Sequence, residues 1–168
     1  MAEMAQPFRQ PLPPRSARLL PWISVLLGSL VTIVPVVASL PLLPPVGLLV
    51  LLAWRLLAPL ALRLWAPALL GLFDDLVSGQ PVGSAMLLWT LASLLVQALD
   101  ARSGVRDFLQ RWGIAAVAIA LCLVGGRLIA SPLGAHVDTV LVLQVVVSIL
   151  LFPLVAFTVT RVDARRGL

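Results

Sequence analysis

At 168 residues, 61% hydrophobic and 11% charged, the chain carries more apolar surface than a soluble domain of its length can bury, and its mean hydropathy of +1.08 agrees. Its net charge of +5 comes from arginine without any lysine, and the 12 arginines lie beside apolar runs, not in an aromatic-interleaved patch, which argues against nucleic acid. The single cysteine, Cys122, excludes a disulfide or a thiolate metal site within one chain, and the sole histidine, His136, lacks companions for metal binding or base catalysis. An all-α, polytopic integral membrane protein follows.

Residues 1–18 contain Pro7, Pro11, Pro13 and Pro14 with Arg9, Arg15 and Arg18, the composition of a disordered basic arm. A transmembrane domain of six helices then covers 19–160, and 161–168 form a short tail. Segment one runs over 19–39, too long for the apolar part of a signal peptide and kinked at Pro35. Segment two covers 40–57, segment three 60–78, segment four 82–99, segment five 112–131 and segment six 137–160. With a cytoplasmic N-terminus, every arginine except Arg127 falls on the cytoplasmic side, so both termini lie inside and the number of spans is even. Trp22, Trp54, Trp65 and Trp112 fall at the cytoplasmic ends of their segments, where amphipathic rings prefer to sit.

Segment three is too short for a simple span. The apolar stretch between Arg63 and Asp74 makes about 15 Å of helix, against a hydrocarbon core of roughly 30 Å. Either its charges are shielded by other helices, or segments two and three form a short paired unit in a locally thinned bilayer.

Asp74 and Asp75 are the most informative residues, because an acid at membrane depth costs about 2.5–3.5 kcal/mol on insertion scales and marks a site by default. At 100° per residue they point in different directions and cannot act as one catalytic pair. Asp75 shares a face with Gly71 and Gly79, which invites close approach of another helix; Asp74 shares its face with Leu70 and Ser78. The alternative for both is a polar helix end in water. Gly79 suits a left-handed helix stop and Pro81 a new start, so the turn through Gly83 is structural in itself.

Segment four carries a seam of Gly83, Met86, Thr90, Ser93, Gln97 and Asp100. Segment five has a small-residue stripe of Ala115, Ala118, Cys122 and Gly125, and segment six has Gln144, Ser148 and Thr158, interrupted by Pro153. Such faces pack helices more often than they bind ligands, although a polar cavity between segments three, four and six is an alternative. No phosphate loop, dinucleotide fingerprint, zinc motif or nucleophile elbow occurs. The chain is expected to be neither an enzyme nor a cofactor carrier.

Pro44, Trp54, Pro59, Gly71, Asp75, Gly79 and Gly83 occur in an order and spacing that resembles the rod-shape-determining protein MreD family, with no gap needed across residues 44–83. The length, the six segments and the basic termini look like that family too. The chain departs from it at Leu43 and Pro45, where the family has a basic and a polar neighbour around the proline, and at Asp74, an additional acid. The resemblance implies a non-enzymatic inner-membrane subunit of the bacterial cell-elongation machinery. It implies as partners a periplasmic coiled-coil protein like MreC and, directly or indirectly, the filament protein MreB, the glycan polymerase RodA and a class B penicillin-binding protein. Asp75, Gly71, Gly79, Gly83, Asp74, Trp54 and Pro59 become candidate partner-binding residues, with Asp75 and the glycines shaping a groove.

Two other functions compete. The same six-helix fold is thought to serve substrate-binding subunits of vitamin transporters, which would use the polar stripes of segments four and six. An ion or proton pathway through Asp75 is weaker, since Arg127 and Asp138 are the only other charges near the outer half.

Overall fold

The computed structural model describes residues 15–31, 44–59, 61–102, 107–130 and 139–164. Among them are six α-helices and no strand: α1 (Arg15–Leu30), α2 (Val46–Leu57), α3 (Ala66–Ser78), α4 (Ser84–Arg102), α5 (Phe108–Ala130) and α6 (Thr139–Ala164). The first fourteen residues of the basic arm, Pro35, His136, Asp138 and residues 165–168 lie outside the described residues.

Apart from Arg55 in its last turn, helix α2 is apolar on every side, and a helix of that kind must be surrounded. It is the axis of the bundle, with α1, α4, α5 and α6 packed against it and α3 held between α1 and α4. Leu48, Leu49, Leu51, Leu52 and Trp54 are all essentially inaccessible. Small residues set the closest crossings. A Cβ on Gly28 would stand 3.1 Å from the Gly47 backbone, so α1 and α2 touch main chain to main chain. A Cβ on Gly125 would stand 2.7 Å from Leu88, which lets α5 close on α4.

Prolines and glycines delimit the elements. Pro44 and Pro45 precede α2, Pro67 stands in the first turn of α3, and Gly79 ends α3 with φ of 69°. Segment one differs from expectation in starting earlier, at Arg15, inside the stretch read as an arm. Among the described residues, α2 starts at Val46 just after Pro44 and Pro45, and segment three starts later than expected, at Ala66, because Pro67 favours a helix start and residues 58, 59 and 61–65 lie outside a helix.

The outward faces are apolar. Leu87, Leu91 and Leu94 on α4, Leu121, Val124 and Leu128 on α5, and Val146, Leu150 and Leu154 on α6 are exposed at helical spacing. Helices α5 and α6, of 23 and 26 residues, are long and apolar enough to cross a membrane, at about 34 and 39 Å. Helices α2 and α3, with 12 and 13 residues, reach only about 18 and 20 Å.

Two residues read as markers of the membrane surface lie inside the bundle. Trp54 is 0% exposed, and its Nε1 donates to Ser24 Oγ at 2.9 Å, tying α2 to α1. Arg55 is 3% exposed and serves the loop after α2. The Trp54 ring thus packs against neighbouring helices in the core instead of being exposed on the bundle surface.

Candidate functional site

The α3–α4 corner collects most of the singled-out residues. Gly79 turns the chain in the left-handed region and Gly83 takes φ of 99°, a value that side-chain-bearing residues rarely adopt. Between them Pro81 accepts a hydrogen bond from Ser84 N at 3.0 Å. The start of α4 then needs acceptors for its remaining free N–H groups.

Asp75 supplies them. Its Oδ1 accepts from Ala85 N at 2.8 Å and Ser84 Oγ at 2.9 Å; its Oδ2 accepts from Gly83 N at 2.9 Å and Met86 N at 3.3 Å. Leu87 N closes on Gly83 O, so every N–H from Gly83 to Leu87 has a partner within the chain. The carboxylate is 1% exposed and acts as a helix cap delivered from the preceding helix. The positive end of the α4 dipole compensates its position near the negative end of α3.

Gly71 belongs to the same joint. A Cβ there would stand 2.6 Å from Ala85 O and 2.8 Å from Met86 Cα, so its missing side chain is what lets α4 lie against α3. The face carrying Gly71 and Asp75 was expected to shape a groove for a partner. It is filled by the chain's own α4, which is the physical reason for assigning these two residues an internal role.

The other candidates diverge. Asp74 is partly exposed, its side chain meets Ser29 of α1, and it has no ion pair among the described residues. Pro59 is exposed in the loop after α2, remote in sequence from the turn, and Trp54 is core. The segment-four seam is split between environments: Met86 faces outward, Ser93 is buried, and Gln97 faces Arg55. On α6, Ser148 is buried with its Oγ donating to Gln144 O, whereas Thr158 is exposed.

Residue-level reading missed the second clamped region. The Arg55 guanidinium donates from Nη1 to Leu62 O at 3.2 Å and from Nη2 to Arg63 O at 3.3 Å. With its amide oxygen turned inward, Gln97 accepts from the same two nitrogens at 2.9 and 3.2 Å. The signal was Gln97, a polar residue on a seam opposite an arginine.

A cavity of about 240 Å³ opens beside the clamped turn. Asp74, Gln80, Trp89, Cys122, Arg127 and Gln144 contribute its polar and aromatic walls, and leucines of α2, α4, α5 and α6 much of the remainder. It lies between α3, α4 and α6 as one reading of the stripes anticipated, but with α2 and α5 as further walls and with only Gln144 of the segment-six stripe and none of the segment-four seam lining it. The described residues contain no cluster of His, Cys, Asp and Glu able to hold a metal ion.

Comparison with protein-family models, curated proteins and solved structures finds no match to this chain.

Proposed function

We propose that the chain is a six-span protein of the bacterial inner membrane, with both termini in the cytoplasm, that scaffolds lateral peptidoglycan synthesis in the manner of the MreD family. Its partner is a periplasmic coiled-coil protein like MreC, with MreB, RodA and a class B penicillin-binding protein reached directly or through it. It performs no catalysis. The leucine faces of α4, α5 and α6 support immersion in lipid, since exposed apolar area on this scale is unfavourable in water. The short α2 and α3 support a locally thinned bilayer around the clamped turn.

The observation that carries the family reading is the joint behaviour of the resembling residues. Pro44 precedes α2, Trp54 ties it to α1, Pro59 stands in its exit loop, and Gly71, Asp75, Gly79 and Gly83 build one corner. Their spacing is thus a requirement of a fold. In this arrangement Asp75 and Gly71 shape the corner from within, while Gly79, Gln80 and Val82 carry its exposed surface toward the periplasm.

The cavity favours the transporter alternative to a limited degree. At about 240 Å³ it falls below the roughly 300–1,000 Å³ of pockets for drug-sized ligands, which suits a vitamin poorly. Depletion of the protein separates the two functions: rod-shaped cells should become round, with no vitamin restoring growth or form. Rescue by a single nutrient would overturn the scaffold reading. Reporter fusions at Gln80 on the periplasmic side and after Arg102 on the cytoplasmic side test the topology.

A further inference from the structure

The loop between α2 and α3 has the wrong composition for a loop in water. Residues 58–65 read Ala-Pro-Leu-Ala-Leu-Arg-Leu-Trp, with Arg63 as the only charged residue and no Ser, Thr, Asn, Gln or Gly. Arg63 is exposed, as are Leu64 at 62% and Trp65 at 49%, and Leu69 near the start of α3 continues the apolar surface. The Trp65 ring meets Trp22 of α1 with centroids 5.3 Å apart, and the Arg63 guanidinium lies 6.0 Å from the Trp65 ring centre. Exposed leucines, paired indoles and an arginine together suit the boundary between acyl chains and headgroups.

The charge of this corner is one-sided. From Met4 to Phe73 the sequence has five arginines and no acidic residue. The arginines at the other helix ends assigned to the cytoplasm alternate with acids: Asp100 precedes Arg102, Asp107 lies between Arg106 and Arg111, and Asp163 between Arg161 and Arg165. Beneath the loop, the Arg55 guanidinium meets only the neutral carbonyls of Leu62 and Arg63 and the Gln97 amide. The Arg63 side chain makes no hydrogen bond or ion pair among the described residues, so its N–H fork is available to an oxyanion.

We propose that the corner formed by Trp22, Arg63, Leu64 and Trp65 binds an anionic phospholipid of the cytoplasmic leaflet. Arg63 receives the phosphate oxygens, the two indoles sit at the glycerol level, and Leu64 and Leu69 lie along the acyl chains. Free phosphate would leave the exposed leucines and indoles uncovered, which selects a lipid as the occupant. The site rests on the reading of the chain as immersed in the membrane with this loop on the cytoplasmic side.

The full-length protein is reconstituted into phosphatidylcholine vesicles that carry a minor fraction of lipid brominated near the top of its acyl chains, either phosphatidylglycerol or phosphatidylcholine. Quenching of tryptophan fluorescence gives the association constant of the anionic lipid relative to the zwitterionic one. It should be about fivefold in favour of phosphatidylglycerol, the size expected for one arginine beside an anionic surface. Arg63→Gln alters an exposed side chain without hydrogen bonds, so the fold is retained, and it should lower the preference to about twofold or less. Arg161→Gln, on α6 with its own Asp163, should leave the preference unchanged. No preference in the wild type, a preference that Arg63→Gln does not diminish, or one that Arg161→Gln lowers equally would overturn the site and leave immersion standing. Absence of quenching by either brominated lipid would overturn the immersion itself, and the site with it.

Discussion

The two ends of the α2–α4 unit hold buried charges of opposite sign, and each charge is matched to backbone rather than to a counter-ion. At the α3–α4 turn, Asp75 gathers the N–H groups that a helix start leaves free. At the α2–α3 loop, Arg55 gathers the carbonyls of Leu62 and Arg63. The regions differ in what replaces the charge if it is lost. Three backbone N–H groups at the turn have no other acceptor, whereas in the loop only the Leu62 carbonyl is buried and the Arg63 carbonyl, partly buried, belongs to an exposed residue. An anion at the turn is thus a fold requirement, and a cation in the loop is closer to a fastener.

The largest effect should come from breaking the turn sterically. Gly71→Leu would drive a side chain into the Ala85 and Met86 backbone, which cannot give way as a flexible side chain can, and should cost about 3 kcal/mol or more. Its melting temperature in detergent should fall accordingly. Asp75→Ala comes next, at about 2 kcal/mol or more, because it leaves buried N–H groups without acceptors. Hydrogen exchange should then rise at Gly83, Ala85 and Met86 and remain unchanged in α6.

Gly79→Ala isolates conformation from contact. Nothing lies within 4 Å of the Cβ position, so the expected loss of about 1–2 kcal/mol is the left-handed backbone alone. Arg55→Met should be the mildest, at about 1 kcal/mol, since relief of the desolvation of a buried charge offsets much of the cost of leaving the Leu62 carbonyl and the Gln97 amide oxygen without donors. Limited proteolysis should nevertheless cut residues 58–65 faster. An equal loss for Arg55→Met and Asp75→Ala would erase the proposed difference between the two regions.

Much of the turn was legible in the residues. The left-handed stop at Gly79, the common face of Gly71 and Asp75 and the peculiar shortness of segment three follow from spacing, and the stripe of Ala115, Ala118 and Cys122 on α5 is buried as a packing seam should be. The identity of the helix seated against Gly71 and Asp75 was not. Periodicity assigns a face without saying what covers it, and the dipole of α3 alone makes Asp75 look misplaced until the start of α4 is brought over it. The pair Gly83-Ser84, a flexible residue and a hydroxyl at a helix start, was the available signal. Arg55 was illegible for a related reason: counting arginines by side treats each as a surface charge, and only folding of the loop makes Leu62 and Arg63 its partners.

The central claim is that Asp75 acts through the fold, as the cap of α4, whereas its neighbour Asp74 caps no helix start. Membrane abundance of Asp75→Asn and Asp74→Asn, expressed from the same promoter in cells lacking the native copy and read beside cell width, tests it most directly. Asp75→Asn should be depleted from the membrane, with cell rounding in proportion to that depletion, and Asp74→Asn should remain as abundant as the wild type. Full abundance of Asp75→Asn in cells that nevertheless lose their rod shape would contradict the internal cap and return Asp75 to a partner interface.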